Sequence, residues 1–249
     1  MISINGCEIH YELRGEGKPL LLLHGFTGSG DDWRHVFALP PPGFQLIAVD
    51  LRGHGRSTNP SGAFTFRQAA ADIRALLDSL ELEQVSAIGI SAGAKTLLHL
   101  ATAQPSSIDR LVLVSGTPYF PAQARPLFAA FTLDSANDAE WTRLRQTHVH
   151  GDAQIRALYE QGRALAHSYD DMNFTPSLLS TITACTLIVH GDRDPFYPVR
   201  LAVDLYESIP DARLWIVSNG GHGPIFGAQT PAFVQTALAF LNESSRPRP

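Results

Sequence analysis

Three residues in this chain have the types and spacing for nucleophilic catalysis: Ser91, Asp194 and His222. A serine hydroxyl attacks a carbonyl only when a base takes its proton and a third group orients that base. Ser91 lies in Gly89-Ile90-Ser91-Ala92-Gly93, a G-x-S-x-G pattern. Such a pattern needs a sharp turn that lifts the hydroxyl clear of the backbone, and its two glycines remove side chains that would collide there. His222 stands in the glycine-flanked stretch Asn219-Gly220-Gly221-His222-Gly223. Asp192 and Asp194 compete for the orienting role. The acid must reach upward from its loop, and the position three beyond Gly191 is better placed, so Asp194 is the choice and Asp192 reads as a turn residue.

The attacked carbonyl also needs donors for its developing negative charge. His24-Gly25-Phe26-Thr27-Gly28 is a glycine-rich turn able to aim a backbone N–H at the same point as the N–H of Ala92. The Phe26 and Ala92 N–H groups are therefore the expected oxyanion hole. His24 reads as structural, as do His10, His35, His99, His148, His150 and His167. The loop from Asp50 to Ser57 also reads as structural, with Asp50 and Arg52 pairing to fix it.

These residues need elements to hold them. Pro19 to Leu23, Gln45 to Val49, Val85 to Ile90, Ile108 to Val114 and Thr186 to Val189 are uninterrupted apolar runs, and Leu214 to Val217 is a further strand. Such runs mark strands buried on both faces, hence a parallel sheet covered by helices. Helices are expected over Asp31 to Ala38, Phe66 to Leu80, Ala92 to Ala103, Val199 to Ser208 and Pro231 to Leu241. The second is entered through a capping box of Thr65 and Gln68. The alternation predicts a doubly wound α/β sheet. Asn5-Gly6 predicts a hairpin near the start. Residues 118 to 176 break the rhythm: they are helical in character, rich in Phe, Tyr and Trp, and too long for a simple loop, so they read as a cap. The core is then 1–117 with 177–249, and Ser244 to Pro249 reads as a disordered tail.

A chain of 249 residues with 44% apolar and 17% charged residues suits one large globular domain. Its formal net charge of -5 offers no attraction to nucleic acid or to an anionic membrane. Basic residues are scattered and form no bidentate anion site; Lys18 and Lys95 are the lysines among them. Cys7 and Cys185 match no metal spacing and read as free thiols of a reducing compartment. Met1-Ile2-Ser3-Ile4-Asn5-Gly6 lacks the charged and apolar segments of a secretory signal, and no apolar run is long enough to span a bilayer. The expectation is a cytoplasmic protein acting on a small molecule.

Taken together, the His24-Gly25 turn, the Asp50-to-Ser57 loop, the Gly89-to-Gly93 elbow, the Asp194 turn and the His222 loop resemble the α/β-hydrolase superfamily in its capped esterase/lipase-like branch. The order serine, acid, histidine along the chain is that family's order. The resemblance implies an eight-stranded, mostly parallel sheet with the cap inserted after the Ile108 to Val114 strand. It implies Ser91 as nucleophile, His222 as base and then acid, Asp194 as orienting carboxylate, and no cofactor or metal. Many relatives carry Met or Gln after the nucleophile and a further glycine beyond the motif, where this chain has Ala92 and Ala94; the small Ala92 widens the expected pocket floor. The serine nucleophile sets the chain apart from the dehalogenases and epoxide hydrolases of this fold. Ester hydrolysis is the leading expectation. Carbon–carbon hydrolases, lactonases, a lyase or synthase like that of the menaquinone pathway, and a small-molecule receptor share the same residues. Arg125, Arg143, Arg145 and Arg163 are the candidate carriers of a carboxylate-binding role.

Overall fold

The computed structural model describes residues 1–134 and 136–243; the tail read from Ser244 onward lies outside them. The chain opens with a hairpin of β1 (Ile2–Ile4) and β2 (Cys7–Ile9), closed at Asn5 (φ 48°) and Gly6 (φ 76°). Two successive positive φ values are what a two-residue hairpin turn with the native twist requires. β3 (Tyr11–Arg14), β4 (Lys18–Leu23), β5 (Phe44–Val49), α1 (Phe66–Ser79), β6 (Val85–Ile90), α2 (Ala92–Ala103) and β7 (Ile108–Val114) follow. Next come α3 (Ala124–Ala129), α4 (Asp138–Thr147), α5 (Asp152–Ala164) and α6 (Pro176–Leu179). β8 (Cys185–Gly191), α7 (Val199–Ser208), β9 (Ala212–Val217) and α8 (Thr230–Leu241) complete the order.

The main sheet has seven strands in the order β3-β5-β4-β6-β7-β8-β9. Only β3 runs antiparallel to its neighbour; the other pairings are parallel. Seven replaces the eight that the family resemblance implies. The tight Asn5-Gly6 turn makes β1 and β2 each other's partners, and this hairpin stands as a separate two-stranded sheet. The short β3 at the edge was not legible as a strand, because its polar residues Glu12 and Arg14 and half-buried Tyr11 give it no apolar run. The Asp31-to-Ala38 helix is a 3₁₀ segment, Gly30–His35.

Leu20 to Leu23, Leu111 to Val114 and Ile188 to Val189 are almost wholly excluded from solvent, as strands covered on both faces must be. Their side chains alternate between two apolar layers. Leu21, Leu23, Leu111 and Leu113 pack under α1 and α2, and Leu20, Leu22, Val112 and Val114 pack with Trp33 and the α8 residues Phe233 and Phe240. The Thr65 hydroxyl caps α1 by accepting the Gln68 N–H at 3.0 Å, while the Gln68 Oε1 takes the Thr65 hydroxyl at 3.2 Å.

Arg52 does not pair with Asp50. It makes a buried two-pronged contact with Asp72 of α1, at 2.6 and 2.8 Å. Asp50 instead accepts the N–H groups of Gly30 (2.6 Å) and Arg56 (2.8 Å) and so folds the loop on itself. The Asp50-to-Ser57 loop is held by these contacts, and the guanidinium reaches across to a helix that sequence proximity could not indicate.

Candidate active site

The sheet's connection reverses direction between β4 and β6: the chain leaves β4 for β5 on one side and returns to β6 on the other. Diverging loops there leave a crevice at the carboxyl ends of the strands. Gly25 and Phe26 follow β4 and Ser91 follows β6, so both motifs face that crevice.

Ser91 adopts φ 50° and ψ −103°, a strained conformation for a residue with a Cβ. It is pinned by its N–H to the Val114 carbonyl at 2.8 Å and by the Gly93 N–H to the His24 carbonyl at 2.9 Å. A Cβ at Gly89 would come within 2.5 Å of the Gly93 backbone, and one at Gly93 within 2.2 Å of the Leu23 carbonyl oxygen. The glycines are thus demanded by backbone approach, as the motif predicts.

Asp194 and His222 come from the loops after β8 and β9. Gly191 lets these loops touch, since a Cβ there would lie 2.3 Å from the Gly220 carbonyl oxygen. His222 Nε2 stands 2.8 Å from Ser91 Oγ and its Nδ1 stands 2.7 Å from Asp194 Oδ2. The other Asp194 oxygen accepts the N–H groups of Phe196 (2.9 Å) and Tyr197 (3.1 Å). Burial pushes this carboxyl up, but the bonds from His222 and the two N–H groups outweigh it and hold Asp194 below the ordinary carboxylate range. The bond on Asp194 makes Nδ1 the protonated nitrogen and leaves Nε2 free to accept the Ser91 proton. Asp192 is exposed and does not reach His222. One positioning residue was not foreseen: Ser115, just after β7 and fully buried, accepts the Gly223 N–H at 3.1 Å and so ties down the histidine loop.

Phe26 and Ala92 both line the chamber over Ser91, and among the described hydrogen bonds neither N–H donates to a protein acceptor. His24 is structural: its Nδ1 donates to the Gly25 carbonyl and its Nε2 accepts the Leu51 N–H. His148 bridges Gly55 N–H and the Thr27 carbonyl, which joins the end of α4 to two core loops. Burial holds it down at about 4, a neutral imidazole. The chamber itself is about 200 Å³ and is walled by aromatic residues, with Phe128, Phe131, Gly162 and Leu165 coming from the helical insertion between β7 and β8.

Comparison with known proteins agrees with this architecture. Residues 18–146, more than half of the chain, match the family model described as the alpha/beta hydrolase fold, and 170–249 match one described as TAP-like protein. The chain belongs to the α/β-hydrolase superfamily. It is 30% identical over 230 residues to the serine hydrolase BPHL of Mus musculus, covering 89% of this chain and 79% of that one. It is 26% identical to the pimeloyl-[acyl-carrier protein] methyl ester esterase of Vibrio vulnificus, covering 95% and 99%. Among solved structures, an α/β hydrolase from a Medee basin deep-sea metagenome library superposes with a TM-score of 0.83 over 99% of both chains, at 19% identity. At that identity the likeness is one of fold. Among the described residues of this α/β hydrolase, no helix is long and apolar enough to cross a membrane, and Cys7 and Cys185 are free thiols.

The four arginines named as candidate carboxylate binders lie elsewhere. Arg125 donates to the Ala166 and Ser168 carbonyls, Arg145 pairs with Asp152, and Arg143 and Arg163 are exposed. The lysine that does line the chamber, Lys95, carried no signal in the sequence beyond its rarity.

Proposed function

We propose that this protein is a serine hydrolase that cleaves a carboxylic ester of small to medium acyl length through an acyl-enzyme. The observation that carries the reading is the unbroken chain from Ser91 Oγ through both nitrogens of His222 to Asp194, opening on an apolar chamber. His222 Nε2 takes the Ser91 proton as Oγ bonds to the ester carbon. The resulting oxyanion is held by the N–H groups of Phe26 and Ala92, the second at the N-terminal end of α2 where the helix dipole is positive. His222 then gives its proton to the departing alkoxide, which leaves as the alcohol. A water molecule, deprotonated by the same nitrogen, attacks the acyl-Ser91 carbonyl and releases the acid and the free serine.

The 118–176 insertion serves in this scheme as a cap, its aromatic residues covering the chamber so that charges develop away from bulk water. The names of relatives, a serine hydrolase and a methyl ester esterase, are consistent with this chemistry. The test is pre-steady-state hydrolysis of p-nitrophenyl butyrate, followed by a panel of esters and lactones of increasing acyl length. A stoichiometric burst of nitrophenol that Ser91→Ala abolishes is the expected result. Inertness of the wild-type protein across the panel would overturn the proposal, and retention of a ligand without turnover would point to a receptor.

A further inference from the structure

Lys95 is the cation in the lining of the chamber. It sits one helical turn after Ser91 on α2, on the same face, and only 3% of it is exposed. Among the described residues its Nζ makes one hydrogen bond, a long one of 3.4 Å to Ser91 Oγ. Three ring faces lie around it, Tyr197 at 5.0 Å, Phe66 at 5.4 Å and Phe120 at 5.9 Å from ring centre to Nζ. No carboxylate among the described residues forms an ion pair with it, and Asp194, the acid whose charge it feels, is already engaged by His222 and two backbone N–H groups.

An ammonium group carries three donors, so at least two are left without a protein acceptor in a site that water only partly reaches. Burying a cation in that state is unfavourable, and cation–π contacts of this length offset only part of the penalty. Burial accordingly pushes the ammonium down to about 7. A lysine kept purely for packing would be replaceable by methionine or leucine with gain in stability. A lysine that meets an anion on its substrate has a reason to remain.

We infer that Lys95 recognises a carboxylate carried by the substrate close to the scissile bond. The inference rests on the ester-cleaving reading and assigns it a substrate class: short half-esters and acyloxy acids. With Nζ 3.4 Å from the attacking oxygen, a carboxylate bonded to it at ordinary hydrogen-bond length lies about two or three carbons from the reacting carbonyl. The small chamber volume of about 200 Å³ agrees with a substrate of that size.

The experiment compares isosteric ester pairs in which a carboxylate replaces an isopropyl group. Monomethyl succinate is set against methyl 4-methylpentanoate, and acetoxyacetate against isobutyl acetate, so that both sides of the ester are sampled. The expected result is an acidic-to-neutral ratio of kcat/KM of roughly 10 or more for at least one pair. Lys95→Met should lower that ratio by roughly 30-fold or more, the usual effect of removing one partner of a buried charge pair. A wild-type ratio near one for both pairs would overturn the inference. So would a Lys95→Met variant that loses activity on both members equally, because that pattern belongs to a residue serving Ser91 alone. Calorimetric binding of succinate to Ser91→Ala, and its loss in Ser91→Ala/Lys95→Met, reads recognition without turnover. Succinate binding that depends on Lys95 in a protein that cleaves no ester would leave recognition standing and defeat the ester reading. Absence of such binding in a protein that turns over neutral esters would do the reverse.

Discussion

His222 Nδ1 lies 2.7 Å from Asp194 Oδ2, and the opposite oxygen of that carboxylate is already occupied by the N–H groups of Phe196 and Tyr197. The carboxylate is therefore oriented by its own loop as well as by the histidine, and its charge is met by three donors in a buried setting. Nothing comparable surrounds Asp192, two residues earlier and exposed.

This difference separates the two aspartates by experiment. Asp194→Ala should lower kcat for an ester substrate by about 10³- to 10⁴-fold, since the imidazole loses both its tautomer and its counter-charge. Asp192→Ala should stay within about threefold of wild type. Steady-state kinetics on both variants, with unfolding midpoints as a control for folding, checks the assignment; a large loss at Asp192 alone would reverse it.

Glycines near the site differ in what they tolerate. Gly93→Ala drives a Cβ to 2.2 Å from the Leu23 carbonyl, where only a shift of β4 or α2 could make room. A loss of more than about 3 kcal/mol, or failure to accumulate as soluble protein, is expected. Gly221→Ala has no atom within 4 Å of the new Cβ, and its stability should change by less than about 0.5 kcal/mol. Chemical denaturation of the pair measures the contrast.

The Arg52–Asp72 pair joins the loop after β5 to α1 in a buried setting, with side chains 6% and 3% exposed. Asp72→Ala strands the guanidinium there and should cost about 3–5 kcal/mol. A double change, Arg52→Met with Asp72→Leu, should recover most of that loss because it removes both charges. If the single and double variants unfold at the same denaturant concentration, the pair is not what holds the loop.

Lys95 makes stability depend on pH in a particular direction. Burial lowers its ionisation from 10.5 to about 7, so below about pH 7 both folded and unfolded chains carry the proton and the folded one bears the whole penalty. Between about 7 and 10.5 the unfolded chain still holds a proton that the folded chain has released, and this residue's contribution to stability rises with pH. Lys95→Met should therefore raise Tm by about 5 °C or more near pH 6.5, with the gain shrinking toward zero near pH 10.5. Asp194, Tyr197 and His222, the other titratable groups around the chamber, are retained in the variant, so the difference between the two Tm profiles reads the lysine together with its coupling to Asp194. A gain independent of pH would mean that packing, not charge, is responsible.

Much of the architecture was legible because it is written in local pattern. Val85 to Ile90 and Ile108 to Val114 are strands to the residue. Uninterrupted apolar runs bounded by turn residues leave little freedom for another assignment. The G-x-S-x-G elbow was legible for the same reason: its glycines answer a backbone collision within five residues. β3 was not, since an edge strand with one solvated side needs no apolar run. The partner of Arg52 was not either. Asp50 is closer in sequence, while Asp72 is brought near only when α1 packs on the sheet.

The sequence by itself determined the succession of strands and helices along the chain, the turn at Ser91 and the candidates for its acid and base. Each depends on short-range sterics or on residue chemistry that survives without knowledge of neighbours. Only the tertiary structure decided what faces the nucleophile. Ser115 beneath the histidine loop, the aromatic wall drawn from the insertion, and Lys95 within reach of Ser91 are each set by contacts between segments far apart in the chain. A lysine at the fourth position of a helix looks the same in sequence whether its end reaches water or lines a chamber. Packing alone distinguishes the two.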